Sequence, residues 1–114
     1  MNNVNLIGRI SDDITYRITT DGQPAAYFRI AVKSMAYGGS IRTDHILCRA
    51  WDSVAEQMSE SFKKGSRVAI NGRIRTDHWE ENGKKKYVTY VAARHVTATA
   101  DLFGRADDAD DNEE

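Results

Sequence analysis

Apolar and polar residues alternate with a period of two along most of this chain, and the pattern is interrupted once. Val4, Leu6, Gly8 and Ile10 alternate with Asn5, Ile7 and Arg9, and a second stretch follows through Ile14, Tyr16 and Ile18. Asp21-Gly22 supplies residues that tolerate positive φ, hence a turn. Phe28, Ile30 and Val32 then alternate with Tyr27, Arg29, Ala31 and Lys33. After a flexible Gly38-Gly39-Ser40 connection, Ile46, Cys48 and Ala50 interleave with His45, Leu47, Arg49 and Trp51. Successive side chains of a strand point to opposite faces, so this spacing predicts three hairpin-linked strands, each with one buried face.

The interruption spans residues 53–62. Val54, Met58 and Phe62 recur every fourth residue, which gives a helix one apolar face. Ser53 and Glu56 stand at the spacing of a capping box, and Lys63-Lys64-Gly65 reads as a C-terminal stop. Alternation resumes with Val68, Ile70, Gly72 and Ile74 and runs on to Trp79. Asn82-Gly83 turns the chain, and residues 87–96 return. Because the pattern passes unbroken through Asn71-Gly72, that pair predicts a mid-strand bend and not a hairpin turn.

Three strands, one short helix and two strands, with glycines inside the first and fourth strands, define an order. It is that of an all-β, five-stranded oligonucleotide-binding barrel (OB-fold) whose helix sits between strands three and four. An open α+β sheet and an SH3-like barrel share parts of the pattern, and the helix placement favours the first architecture.

The 114 residues suit one domain, and the net charge of −1 conceals a division. Residues 1–100 carry fifteen Lys/Arg against ten Asp/Glu, a balance of +5, whereas residues 101–114 carry one Arg against seven acids, a balance of −6. The expectation is a basic barrel over residues 1–100 and a short, flexible acidic tail over 101–114, hence a polyanionic partner. There is no run of 18 apolar residues, no secretory-type start, and a single cysteine, Cys48. These features predict a cytoplasmic protein in a reducing compartment, with no membrane association.

Aromatic residues interleaved with cations make up the chemistry of the expected outward faces. Strand three presents His45, Leu47, Arg49 and Trp51, and strand four carries Arg73, Arg75 and Trp79. Lys84-Lys85-Lys86 follows the last hairpin turn, and Lys33, Tyr37 and Arg42 lie along or beside the connection between strands two and three. Single-stranded nucleic acid needs this mixture, because bases stack on rings for roughly 1–3 kcal/mol each while Lys and Arg follow the phosphates. Catalysis lacks comparable support. His45 and Cys48 are three apart on a strand and so face opposite ways, and His78 and His95 add no zinc-type spacing. The carboxylates have no tuned acid–base partner, and no phosphate-cradling glycine loop carries a lysine. No catalytic residue, metal site or cofactor is therefore expected.

Several stretches together resemble the bacterial and phage single-stranded DNA-binding proteins. They are residues 1–10 (Met-Asn-Asn-Val-Asn-Leu-Ile-Gly-Arg-Ile), 26–32 (Ala-Tyr-Phe-Arg-Ile-Ala-Val), 46–51 (Ile-Leu-Cys-Arg-Ala-Trp), 62–66 (Phe-Lys-Lys-Gly-Ser) and 71–76 (Asn-Gly-Arg-Ile-Arg-Thr), with Trp79. The resemblance covers about residues 1–100 and implies an OB-fold homotetramer that coats single-stranded DNA during replication, recombination and repair. Carried over by position, it implies base stacking at Trp51 and Trp79 and phosphate contact at Arg17, Lys63, Lys64, Arg75 and Lys86. His45 stands where the family usually has Trp or Phe, and Tyr37 is the one candidate for an aromatic expected in its connection. Asp77 and His78 stand where the family often has basic residues, so weaker contacts are expected beside Trp79.

The tail departs furthest from the family pattern. The family's acidic tip closes with Ile-Pro-Phe and recruits replication and repair proteins, whereas residues 109–114 here read Ala-Asp-Asp-Asn-Glu-Glu. The expectation is a mobile anionic arm that competes with DNA for the basic groove, without the docking tip. The alternative function is an OB-fold assembly module that binds a replication-restart or phage replication protein, with weak binding of single-stranded DNA or RNA.

Overall fold

Each stretch of alternation forms a strand. In the computed structural model, which describes residues 1–99, β1 (Val4–Ile10), β2 (Thr15–Ile18), β3 (Pro24–Met35) and β4 (Ile41–Trp51) precede the helix α1 (Asp52–Ser61). After the helix come β5 (Arg67–Glu81) and β6 (Lys84–Ala98). The expected acidic tail, residues 101–114, lies outside the described residues.

Hydrogen-bonded neighbours run β1-β5-β6-β4-β3-β2, and a further β1–β3 pairing closes five strands into a barrel. β2 is the continuation of β1 along the same neighbour. Ile10 pairs with Ile30, the Ser11 amide donates to the Arg29 carbonyl at 3.0 Å, and Thr15 then pairs with Tyr27. The two stretches of alternation at the start of the chain are thus one bent strand, and the helix falls between the third and fourth staves. The OB-type order predicted by the sequence is the observed one.

Both mid-strand glycines sit where backbones come into contact. A Cβ on Gly8 would overlap the Ala31 carbonyl oxygen, and one on Gly72 would overlap that of Ala92. The β5–β6 register shifts by one residue at Asn71/Gly72, where β6 carries the unpaired extra residue Arg94, so the glycine lies opposite a bulge that bends β6 around the barrel. The hairpin turn lies further on. Glu81 pairs with Lys84, and Asn82 (φ 54°) and Gly83 (φ 79°) form the two-residue loop, whose left-handed backbone matches the strand twist.

Most of the alternating apolar residues point inward, whereas Tyr16, Ile18 and Ile74 of the same alternation are exposed. Ile10, Phe28, Ile30, Cys48, Ala50, Val68, Ile70, Val91 and Val96 form one buried cluster. Against it α1 packs Ala55 and Met58, both fully buried, together with the partly buried Val54, and Phe62 just beyond the helix joins them. Burying a side chain the size of Met58 contributes about 1.5–3 kcal/mol. The Gln57 side-chain amide donates to the Val96 carbonyl at 2.9 Å and ties the helix to β6. Burial pushes the Cys48 thiol up to about 12, as befits a small buried hydrophobe that is not a nucleophile.

Both helix ends differ from the sequence reading. The expected Ser53/Glu56 capping box is not formed: the helix begins one residue earlier, directly from extended Trp51, with no side-chain cap. Asp52 takes a left-handed φ of 56°, and its carboxylate accepts a bond from Gln23 Nε2 at 3.2 Å, across the start of β3. At the other end Phe62 is already extended, so Gly65 is not the helix cap. Gly65 instead serves the turn into β5. Its φ is 94°, its amide donates to the Ile10 carbonyl at 2.7 Å, and Arg9 donates to its carbonyl at 3.0 Å. In both cases the strands entering and leaving the helix fix the backbone before a local capping motif can.

Candidate nucleic-acid interface

Strand parity and register together decide which residues share the outer face. On β3 and β4, Ala25 lies opposite Trp51, Tyr27 opposite Arg49, Ala31 opposite His45 and Lys33 opposite Thr43. On β5 and β6, Arg73 lies opposite Ala92, Arg75 opposite Tyr90, Asp77 opposite Val88 and Trp79 opposite Lys86. The parallel β4–β6 pairing places Arg49 beside Ala92 and joins the two groups, while the β2–β3 pairing adds Arg17 beside Ala25. Arg17, Lys33, His45, Arg49, Trp51, Arg73, Arg75, Trp79 and Lys86 therefore belong to one continuous face.

Tyrosines organise its centre. The Arg49 guanidinium carbon lies 4.3 Å from the Tyr90 ring centroid and 5.3 Å from that of Tyr27, and the Arg17 guanidinium carbon lies 5.1 Å from Tyr27. Each such contact is worth about 0.5–1 kcal/mol at an exposed site and more when desolvated. Trp51 stands at a tilt of 57° to Tyr90, with centroids 6.1 Å apart. Asp77 fixes the arrangement. Its Oδ2 accepts from Arg49 Nη1 and from the Tyr90 hydroxyl, both at 3.1 Å. Tyr90, although on the outer face, is only 4% exposed. Burial first, then the hydrogen bond to Asp77 and its charge, push the Tyr90 hydroxyl above its ordinary value.

The remaining predicted residues are placed differently. Trp79 projects from the β5–β6 hairpin, 45% exposed, beside a cavity lined by His78, Glu80 and Lys85 as well as itself. His45 is exposed, its Nδ1 lying 3.4 Å from the Ser11 hydroxyl. Arg42 pairs with Ser34, which puts it on the opposite face from His45, and its Nε donates to Asp44 at 3.1 Å. Tyr37 is fully exposed in the 3-10 turn Tyr37–Gly39 at the tip of the β3–β4 hairpin. Lys63 and Lys64 are exposed in the turn between α1 and β5, off the strand face.

Sequence reasoning did not single out Tyr27 or Tyr90, and it assigned Asp77 a weakening effect beside Trp79. Tyr27 carried a usable signal, being the outward aromatic in the alternation of β3. Tyr90 carried none, because it precedes the apolar run Val91-Ala92-Ala93 and its contacts come from other strands.

Among the described residues no group of three or more His, Cys, Asp or Glu could hold a metal ion, and no helix is long and apolar enough to cross a membrane. Comparison with known proteins agrees with the geometry. Residues 1–99 match the model of the Single-strand binding protein family. The chain is 37% identical over 99 residues to Single-stranded DNA-binding protein 2 of Listeria monocytogenes, covering 84% of this chain and 62% of that protein. It is 39% identical over 99 residues to the Single-stranded DNA-binding protein of Oceanobacillus iheyensis, with the same coverage of 84% and 62%. It is 40% identical over 96 residues to Single-stranded DNA-binding protein 1 of Streptococcus pyogenes, covering 82% of this chain and 74% of that protein. The first two matches thus span somewhat under two thirds of their relatives' length. A barrel of this order, with cations and aromatics sharing one face and a family match over residues 1–99, places the chain in the single-strand binding protein family.

Proposed function

We propose that this chain is a non-catalytic protein that binds single-stranded DNA with little dependence on sequence. One observation carries the reading: Arg17, Arg49, Trp51, Arg75, Trp79 and Lys86 share an uninterrupted face across strands β2 to β6. Bases stack on Trp51 and Trp79, and the cations follow the backbone between them. Lys33, Tyr37, Arg42, His45, Lys63, Lys64 and Arg73 extend the path around the barrel and onto its hairpins. The relatives' names support the same substrate. The family resemblance supports a homotetramer that works in the cytoplasm during replication, recombination and repair, and residues 101–114 act as an anionic competitor for the face.

The test is a titration of the protein with a dT oligomer, followed by tryptophan fluorescence at low and at moderate salt. Binding quenches the fluorescence, and affinity falls by roughly 0.7 log units per log unit of salt for each phosphate neutralised. A signal that stays unquenched at low salt overturns the reading.

A further inference from the structure

An open cavity of about 270 Å³ indents the outer face, lined by Gln23, Trp51, Arg75, Asp77 and Tyr90. It falls just below the ~300 Å³ at which drug-sized pockets begin, a size suited to a single heteroaromatic ring system. Its chemistry sets it apart from a phosphate track. Asp77 presents a carboxylate to it, and a carboxylate repels a phosphate while accepting from the N–H groups of a base.

Both charged groups have capacity left. Asp77 Oδ2 takes the bonds from Arg49 and Tyr90, whereas among the described residues Oδ1 accepts none. Arg75, two residues away on the same face of β5, makes no hydrogen bond or ion pair among the described residues. Trp51 supplies an aromatic wall, and its neighbour Tyr90 is itself fixed by Asp77. An acceptor and a fivefold donor beside a ring are complementary to a base edge that offers adjacent donors next to an acceptor. Guanine has that edge: N1–H and the N2 amine are donors, and O6 is an acceptor. Thymine and adenine do not present two adjacent donors, and cytosine presents a single donor group on a smaller ring.

Resting on the single-stranded DNA reading above, we propose that this cavity is a guanine-selective subsite within an otherwise sequence-tolerant surface. Trp51 stacks on the base, Asp77 Oδ1 accepts from N1–H and N2–H, and Arg75 donates to O6 with one side of its five-donor fork, leaving the other for the backbone. Arg49, already held by Asp77 between two tyrosine rings, keeps the carboxylate in place and is not the contact to the base.

The test compares a short dT oligomer with the same oligomer carrying one central dG, dA, dC or deoxyinosine, using the unmodified protein and tryptophan quenching. The dG oligomer binds about five- to tenfold more tightly than dT, the low end of what one good base contact provides. Deoxyinosine, which lacks the N2 amine, loses most of that advantage. In Asp77→Asn the preference for dG over dT disappears while dT binding tightens, because a negative charge has left the face. Equal affinity for dG and dT, a preference for dC, or a dG preference that survives in Asp77→Asn overturns the subsite alone. Failure of both dG and dT oligomers to bind overturns the single-stranded DNA reading with it.

Discussion

The two tryptophans on the outer face are built in opposite ways. Trp51 ends β4 at the barrel wall, half-buried against Tyr90, and that tyrosine is tied through Asp77 to Arg49 and through Arg49 to Tyr27. Trp79 stands on the β5–β6 hairpin where it leaves the barrel, with Lys86 opposite and exposed polar residues around it. One ring is held by four strands and the other by one hairpin. A preorganised ring loses little freedom when a base stacks on it, whereas a loosely held ring loses rotamer freedom on binding, which offsets part of the stacking gain.

Truncating each ring breaks the comparison most directly. Trp51→Ala removes a stacking surface and loosens the Tyr90–Arg49 assembly, so affinity for a dT oligomer falls about 10- to 100-fold. Its melting temperature falls as well. Trp79→Ala weakens binding by about three- to tenfold, at the low end of a stacking contact, and leaves the melting temperature unchanged. Titration and thermal denaturation of both variants check the pair, and equal losses in affinity would erase the distinction between the two platforms.

The smallest effect concerns the tyrosine beneath Trp51. Tyr90→Phe removes one hydrogen bond to Asp77 and costs about 1 kcal/mol of stability. It also changes the response to alkali. The folded state holds the Tyr90 hydroxyl above its ordinary value of 10.0, so the neutral form is favoured in the fold. The associated stability is complete below 10.0 and is lost as pH rises through the folded value. Urea denaturation across that range should show a steeper alkaline decline for the native chain than for Tyr90→Phe. Parallel declines would show that Asp77 does not hold Tyr90 as described.

Much of the architecture was legible because it depends on short-range pattern. Alternation located every stave, Val54 and Met58 marked the helix face, and Asn82-Gly83 gave the hairpin its left-handed turn. Asn71-Gly72 was distinguishable from a turn because polar and apolar residues kept their phase through it. The capping box failed because Ser53 and Glu56 fit a local motif that the entering strand overrides. Gly65 likewise serves Ile10 and Arg9, partners distant in sequence.

The candidate site was legible in kind and not in arrangement. Trp51, Trp79 and the cations could be assigned to an outward face from parity alone. That Asp77 anchors Arg49 and Tyr90 could not, since Arg49 and Asp77 are 28 residues apart and Tyr90 lies another 13 beyond. Asp77 also carries the wrong charge for a composition argument to select it.

The sequence by itself determined the strand periodicity, the single helix, the glycine bends and the sign of the charge, because each is a property of neighbouring residues. Only the tertiary structure decided that five strands close through β1 and β3, and which side chains meet across them. Register is set by packing one inward face against a shared core, and that packing carries Tyr27, Arg49, Trp51, Asp77 and Tyr90 into contact on the other side.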